Sequence, residues 1–210
     1  MISDIVKLLS KRGDFFLKLL GQHIRISLTA ILIAMVLGGI IGVIISERAT
    51  LSKLVLSTVN FLYTIPSISL LGFLIPFTGI GDDTAIIALT IYALLPMVRN
   101  TYTGITNVDA RIIEAAVGMG CTPKQLLWQI KLPLAAPVIV AGIKNMAVMT
   151  IALSGVASFI GAGGLGVAVY RGITTNNKAM TLVGSLMIAM LAITADLLIG
   201  AVEKKLKKHK

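Results

Sequence analysis

Apolar residues in this sequence fall into long, charge-poor runs that are separated by short polar segments. The first run, residues 26–46, has 21 residues without a charge, enough for a helix to cross about 30 Å of hydrocarbon. Gly38 and Gly42 within it form a small-residue pair that predicts close packing on a neighbouring helix. Two prolines interrupt the second run and predict a kinked helix. The pattern predicts an all-α, polytopic membrane protein with about five transmembrane helices, at about residues 25–46, 54–77, 84–103, 134–160 and 179–201.

A polar segment between the third and fourth runs is predicted to form two short helices joined by a glycine turn. Thr106 and Asn107 are expected to cap the first helix, and Gly120 supplies a turn residue that tolerates a positive φ. Thr122 is followed by proline and, three positions later, by glutamine, which predicts a capped start for the second helix. Pro133 is expected to end that helix, because proline disfavours helical geometry in the residue before it.

The composition places this helical pattern in a membrane. Hydrophobic residues make up 56% of the sequence, charged residues make up 13%, and the mean hydropathy is +0.94. Soluble globular domains are usually about 45–50% apolar. The sequence is therefore too apolar for a water-soluble globular protein, and one domain in a lipid bilayer is expected.

The net charge of +10 does not require binding to nucleic acid. Of the 19 lysine and arginine residues, 11 fall in segments that we place on the cytoplasmic side, as the positive-inside rule predicts. The excess of basic over acidic residues is therefore explained by membrane insertion. These residues are Arg48, Lys53, Arg99, Arg111, Lys124, Lys131, Lys204, Lys205, Lys207, Lys208 and Lys210.

The two chain ends are expected on opposite sides of the membrane. Residues 203–210 form a basic tail that we place in the cytosol, and residues 1–18 form an amphipathic segment that predicts an interfacial helix. Five spans then place the amino terminus outside. This orientation breaks the charge rule for five amino-terminal residues, although Asp82 and Asp83 on the outside agree with it. The five are Lys7, Lys11, Arg12, Lys18 and Arg25.

The sequence lacks the motifs that would make this chain an enzyme. It contains no GxxxxGK[ST] phosphate-binding loop, so this chain is not expected to bind ATP through such a loop. Residues 161–166 satisfy the GxGxxG dinucleotide pattern, but they follow a long apolar helix and predict an irregular turn near the outer surface. Cys121 is the only cysteine, and His23 and His209 lie outside the predicted spans, so no metal site or cofactor is expected in this chain.

Two ionisable side chains fall in the later apolar runs. Lys144 lies in the middle of the fourth run, where a cation costs about 2.5–3.5 kcal/mol on insertion scales, and a snorkelling or packing role is favoured over a gating one. Asp196 lies about 10 Å from Glu203 along the last helix, so it is expected near the inner membrane boundary. An ion-coupled secondary transporter would be expected to carry more such groups, and it remains an alternative, as does a structural scaffold.

The segment of residues 106–133 carries seven residues at a fixed spacing: Glu114, Ala115, Ala116, Gly120, Ile130, Leu132 and Pro133. In this spacing the segment resembles the cytoplasmic EAA loop of the permease subunits of bacterial ABC importers. The resemblance implies a coupling hairpin that fits a cleft of a separate ATPase subunit, which binds the ATP and Mg²⁺. It also implies a second permease subunit in a homo- or heterodimer, an extracytoplasmic substrate-binding protein, and alternating access in the bacterial cell membrane. Apolar residues that offer a docking face are Ile112, Ile113, Leu126, Leu127 and Trp128.

Three further motifs lie at residues 63–67, 94–101 and 159–166. Through them, residues 19–198 resemble the type-1 transmembrane domain of permeases for quaternary-ammonium osmoprotectants. The resemblance implies glycine betaine, carnitine or choline as the solute. Methionine or another amino acid remains the alternative, because methionine importers share one of the motifs in variant form. Tyr63, Tyr92 and Phe159 are candidates to contact a cation along the translocation path, although packing is their favoured role.

Overall fold

A computed structural model describes residues 2–208 of this chain. Helices form most of this range, and it contains no strand. His209 and Lys210 of the predicted basic tail lie outside the described residues. The α-helices are α1 (Ile2–Ser46), α2 (Ala49–Thr64), α3 (Ser67–Thr78), α4 (Asp82–Thr106), α5 (Ala110–Gly118), α6 (Pro123–Gln125), α7 (Leu132–Ser154), α8 (Gly166–Thr174) and α9 (Lys178–Lys208). A π-helical segment, Leu126–Lys131, joins α6 to α7, and a 3₁₀ segment, Val156–Ile160, follows α7.

Four helical segments are long and apolar enough to cross a membrane, and a bent pair of helices can form a fifth crossing. The pair consists of α2 and α3, which are bent by 97° relative to each other. The all-α fold with about five membrane-spanning elements is thus confirmed for the part of the chain that the structure describes. The four single segments are Ser3–Ser46, Asp82–Thr106, Pro123–Ser154 and Lys178–Lys207.

The bend between α2 and α3 is a complete break in the helix rather than the kink that the sequence predicted. Ile65 has an extended conformation, with φ −66° and ψ 129°, and Pro66 precedes the first residue of α3. Proline has no amide hydrogen for a continuous helix and disfavours helical geometry at the residue before it. The Tyr92 hydroxyl of α4 donates a hydrogen bond to the Ile65 carbonyl, so a neighbouring helix satisfies a backbone group at the break.

An interfacial helix was expected for residues 1–18, and the described part of this segment, residues 2–18, is the first part of α1. This helix has 45 residues, with non-helical angles only at Arg12, where φ is −131° and ψ is 26°. Phe16 and Leu19 are buried in a cluster that includes Leu165. Because these side chains pack on later parts of the chain and no proline precedes the first span, the segment continues into the membrane helix instead of forming a separate element.

Glycine residues allow α1 and α4 to cross closely. A Cβ atom built on Gly38 would lie 2.8 Å from the Met97 side chain, and one built on Gly42 would lie 2.5 Å from the Thr101 side chain. These distances are too short for any residue with a side chain, so the predicted packing role of the glycine pair is confirmed. Since α4 packs against both α1 and α7, it connects the amino-terminal helix to the helix that follows the hairpin.

The helix that begins at Pro123 does not end at Pro133, as the sequence had predicted. It continues through the π-helical segment and α7 to Ser154. In the π-helical segment, the Leu132 amide donates to the Leu127 carbonyl, five residues earlier. Pro133 comes directly after this change of hydrogen-bond register, in the first turn of α7, where proline is tolerated. The expected break is therefore absent.

Candidate functional site

The predicted hairpin between α4 and α7 is formed by α5 and by the helix that begins with α6. Asp109 caps α5, because its carboxylate accepts hydrogen bonds from the Arg111 guanidinium and amide, each at 2.9 Å. The guanidinium, followed by the amide, lowers the pKa of Asp109 below its ordinary value. Thr106 and Asn107, the expected caps, instead complete α4, since the Thr106 hydroxyl donates to the Tyr102 carbonyl at 2.9 Å.

Gly120 ends the α5 region in the conformation that the sequence predicted. Its φ is +85°, in the region that favours glycine. The Gly120 amide donates to the Val117 carbonyl at 2.9 Å, and the Cys121 amide donates to the Ala116 carbonyl at 3.1 Å. These two bonds form a Schellman motif, which satisfies carbonyl groups at the end of a helix. No atom lies within 4 Å of a Cβ built on Gly118 or Gly120, so this turn is open to its surroundings.

The second helix of the hairpin begins with the predicted capping box. The Thr122 hydroxyl accepts from the Gln125 amide at 3.4 Å, and the Gln125 side-chain oxygen accepts from the Thr122 amide at 2.9 Å. At the end of the π-helical segment, Lys131 forms an ion pair of 2.8 Å with Glu47, just beyond α1. The same helix continues into α7, so the hairpin and a helix that is long and apolar enough to cross a membrane form one continuous segment.

Some residues of the EAA motif are buried or half-buried within the hairpin, and the others are exposed. Ala116 is buried, and Ile130 and Leu132 are half-buried. The structure places α5 in contact with the π-helical segment, so the two parts of the motif belong to one folded unit. The remaining motif residues are exposed and available to another protein. They are Glu114, Ala115, Gly120 and Pro133.

The hairpin also exposes large apolar side chains. Trp128 is 66% exposed and Ile112 is 43% exposed, as a docking face requires. Val117 and Met119, which sequence analysis did not select, are 56% and 78% exposed. Both are apolar residues in a short connection between membrane spans, and this feature of the sequence could have indicated them. An exposed apolar surface rimmed by polar residues is typical of a protein-binding site. The other predicted docking residues are half-buried: Ile113, Leu126 and Leu127.

The three aromatic residues considered for the translocation path do not form one cluster. The rings of Tyr63 and Tyr92 are 6.0 Å apart at an angle of 71°, which is an edge-to-face pair. Tyr63 is 38% exposed and donates from its hydroxyl to the Met149 sulfur at 3.0 Å, whereas Tyr92 is buried. Phe159 pairs with Tyr170 instead, at a ring distance of 5.1 Å. The structure therefore brings together two of the three candidates.

A buried histidine that sequence analysis did not select holds the glycine turn at residues 161–166. The Nδ1 atom of His23 accepts from the Leu165 amide at 3.3 Å. Its Nε2 atom lies 2.7 Å from the Ser154 hydroxyl and 3.0 Å from the Ile151 carbonyl. Since Nδ1 accepts, the ring hydrogen belongs on Nε2. The expectation that no histidine lies among the membrane helices was wrong, because α1 begins well before the charge-free run.

Two further side chains bind the same turn. The Gly163 amide donates to the Asp82 carboxylate at 2.9 Å, and the Gly164 amide donates to the Gln22 side-chain oxygen at 3.3 Å. Arg25 forms an ion pair with Asp82. Gln22, His23 and Arg25 are polar residues directly before the first apolar run, and this feature of the sequence could have indicated that they bind a common partner. The irregular turn is confirmed, and the amides that a dinucleotide loop directs toward phosphate are bound here by protein side chains.

Comparison with known proteins identifies the family to which this arrangement of helices and hairpin belongs. Residues 30–208 match the family described as "Binding-protein-dependent transport system inner membrane component". The chain belongs to this family. It is an ABC transporter permease, a multi-pass membrane protein that is not itself an enzyme.

Relatives of this permease differ in the solute that their names give. The glycine betaine/carnitine/choline transport system permease protein OpuCD of Bacillus subtilis (strain 168) is 37% identical over 202 residues, covering 96% of this chain and 88% of the relative. The ergothioneine transport permease/ergothioneine binding protein EgtU of Helicobacter pylori (strain G27) is 42% identical over 164 residues, covering 78% of this chain and 30% of the relative. A chain of the inward-facing MetNI methionine ABC transporter matches with a TM-score of 0.86 and 24% identity, over 93% of this chain and 98% of that chain. This last likeness shows the fold alone.

Proposed function

We propose that this permease imports quaternary-ammonium osmoprotectants, such as glycine betaine, carnitine and choline. The name of the Bacillus subtilis relative includes all three solutes, and its similarity extends over 96% of this chain. Transport is driven by a separate ATPase subunit, because the sequence contains no phosphate-binding loop. Two permease subunits, identical or closely related, enclose the path, and a binding protein delivers the solute from outside the cell.

The coupling role of the hairpin rests on its continuity with α7. The exposed Trp128 and Pro133 lie on the Pro123–Ser154 segment, which continues without a break into a membrane-spanning helix. The exposed Glu114 and Ala115 lie on α5, which contacts the π-helical part of that segment. When ATP closes the paired ATPase subunits, the two hairpins are drawn together and the cavity opens outward to accept solute. Hydrolysis returns the cavity to the inward-facing state.

Substitutions in the hairpin test this coupling role. Glu114→Lys reverses an exposed charge of the motif, and Gly120→Asp adds a charged side chain at a residue whose φ is +85°. Both are expected to reduce association with the ATPase and uptake of solute in membrane preparations. Gly118→Ala is the matched control, since a Cβ there meets no atom within 4 Å. Normal association and uptake in both variants would reject the coupling role.

A competition experiment tests the solute. Uptake is measured in a strain that lacks other importers, with betaine, carnitine, choline and methionine as competitors. The quaternary ammonium compounds are expected to compete and methionine is not, whereas competition by methionine alone would favour the amino-acid alternative.

Tyr63 offers a second test of the solute, because its exposed ring can attract a cation. Tyr63→Leu is expected to raise KM for the cationic solute by about two- to fivefold, while Tyr63→Phe keeps the ring and the affinity. Equal values of KM for the two variants would remove Tyr63 from the path.

A further inference from the structure

Lys144 is the only charged residue of α7, and it is bonded to the end of α9. Its Nζ atom lies 3.0 Å from Glu203 Oε2, and the side chains of Lys144 and Glu203 are 26% and 11% exposed. Lys207 bonds the other oxygen of Glu203 at 2.6 Å. Lys144 therefore lies beside the polar end of the last helix, although its place in the fourth apolar run had suggested the middle of a span.

A second carboxylate lies on the same face of α9. Asp196 precedes Glu203 by seven residues, which is about 10 Å along the helix and close to two whole turns. Gly200 lies between them on that face. A Cβ built on Gly200 would lie 3.8 Å from Lys144 Cδ. The stem of the lysine therefore passes over the glycine, between the two carboxylates.

The carboxylate of Asp196 forms no hydrogen bond or ion pair within residues 2–208, but it lies close enough to Lys144 for the two charges to interact. Asp196 is half-buried and, with Lys144, Gly200 and Glu203, lines a cavity of about 320 Å³. A carboxylate at the membrane boundary is stabilised by a neighbouring cation. In this structure the Lys144 ammonium is bonded to Glu203 and only approaches Asp196.

Glu203 does not depend on Lys144 alone. Lys207, one turn further along α9, retains its ion pair with Glu203 when Lys144 leaves. A move of Lys144 to Asp196 therefore pairs one carboxylate without leaving another unpaired. The flexible stem and three donors of the lysine ammonium suit either geometry.

Movement of the hairpin tilts α7 about its bonded far end and shifts Lys144 relative to α9, since α7 continues from the hairpin. We propose that Lys144 is a positioning residue for transport. It pairs with Glu203 at one limit of the movement of α7 and with Asp196 at the other limit. The proposal rests on the coupling role proposed above for the hairpin. The two carboxylates give α7 two defined positions against α9.

Asp196→Asn distinguishes these two positions from a purely structural ion pair. The variant removes an unpaired carboxylate, so the folded permease accumulates normally, while uptake by the complete importer falls about tenfold, a usual size for coupling between sites. ATP hydrolysis continues, so the amount of solute imported per ATP falls. Asp196→Glu keeps the charge and restores uptake. Asp83→Asn, at an exposed carboxylate in the first turn of α4, is the matched control and retains uptake.

Three results would overturn the proposal: normal uptake in Asp196→Asn, equal loss of uptake in Asp196→Asn and Asp196→Glu, or loss of folded protein in Asp196→Asn. Gly120→Asp is measured in parallel. If Gly120→Asp leaves uptake unchanged, the coupling role of the hairpin fails. If Gly120→Asp abolishes uptake while Asp196→Asn retains it, only the two-position role of Lys144 is rejected.

Discussion

Two glycine turns lie at opposite ends of the α7 helix, and they are held in different ways. We place the hairpin in the cytosol, so its turn at Gly120 is called the inner turn and the turn at residues 161–166 the outer turn. The inner turn uses hydrogen bonds within the hairpin, and a Cβ built on Gly120 would meet no atom within 4 Å. The outer turn, at residues 161–166, is held by side chains of α1 and α4. A Cβ built on Gly166 would overlap the carbonyl oxygen of Gly155. Glycine provides a backbone conformation in the first turn and a close approach in the second.

This difference indicates which end of the α7 helix can move relative to the other helices. The outer end of α7 is followed by a segment that is bonded to two other helices, whereas the inner end continues into a hairpin whose surface is open. In the coupling role proposed above, a force from a partner would act on the hairpin end of this helix, while the far end is held in place by its bonds to α1 and α4. The predictions below test whether the outer turn is structural and the inner turn is functional.

Gly166→Ala is expected to have the largest effect on stability. The new methyl group would overlap a backbone carbonyl that cannot rotate away, so the free energy of unfolding should fall by about 3 kcal/mol. Thermal melting of the purified permease in detergent measures the change. Gly118→Ala, at the open inner turn, serves as the control, and equal melting temperatures for the two variants would contradict the comparison.

His23→Leu is expected to have the second-largest effect. It leaves the buried amide of Leu165 without its acceptor and removes a partner of Ser154, which should cost about 2 kcal/mol. Hydrogen exchange at the Leu165 amide should become faster, together with a lower melting temperature. Ile24→Leu, at the neighbouring exposed residue, should change neither quantity. Unchanged exchange at Leu165 in His23→Leu would show that the histidine does not hold the turn.

Gly120→Ala is expected to have the smallest effect on stability. A residue with a side chain at φ +85° costs about 1–2 kcal/mol, but this cost falls on the hairpin and not on the helical bundle. The melting temperature of the bundle should therefore change little, while association with the ATPase weakens. A large loss of bundle stability with normal ATPase association would reverse the roles assigned to the two turns.

The inner hairpin could be predicted in detail because its determinants are local. Gly120 and Thr122 act on residues that lie within five positions of them, so the turn and the capping box are visible in the sequence. The end of the second helix was predicted incorrectly, because the π-helical segment places Pro133 in the first turn of α7, where proline is tolerated. The helical class and the approximate number of spans followed from long apolar runs, whose periodicity does not depend on tertiary contacts.

The hydrogen bonds of Gln22, His23 and Asp82 to the turn at residues 161–166 could not be predicted, because they join distant parts of the chain. His23 and Leu165 are separated by 142 positions, and nothing near either residue specifies the other. The ion pair between Lys144 and Glu203 also joins distant parts of the chain, so it could not be predicted either. A single sequence shows that such polar residues need partners, but the fold decides which partners they meet.

The central claim is that the hairpin between α4 and α7 faces the cytosol and contacts a separate ATPase subunit. Cys121, the only cysteine of the chain, lies in the hairpin turn and reports on this directly. A membrane-impermeant maleimide is expected to label Cys121 only in permeabilised cells, and more slowly when the ATPase subunit is co-expressed. Labelling of Cys121 in intact cells would place the hairpin on the outside and contradict the claim.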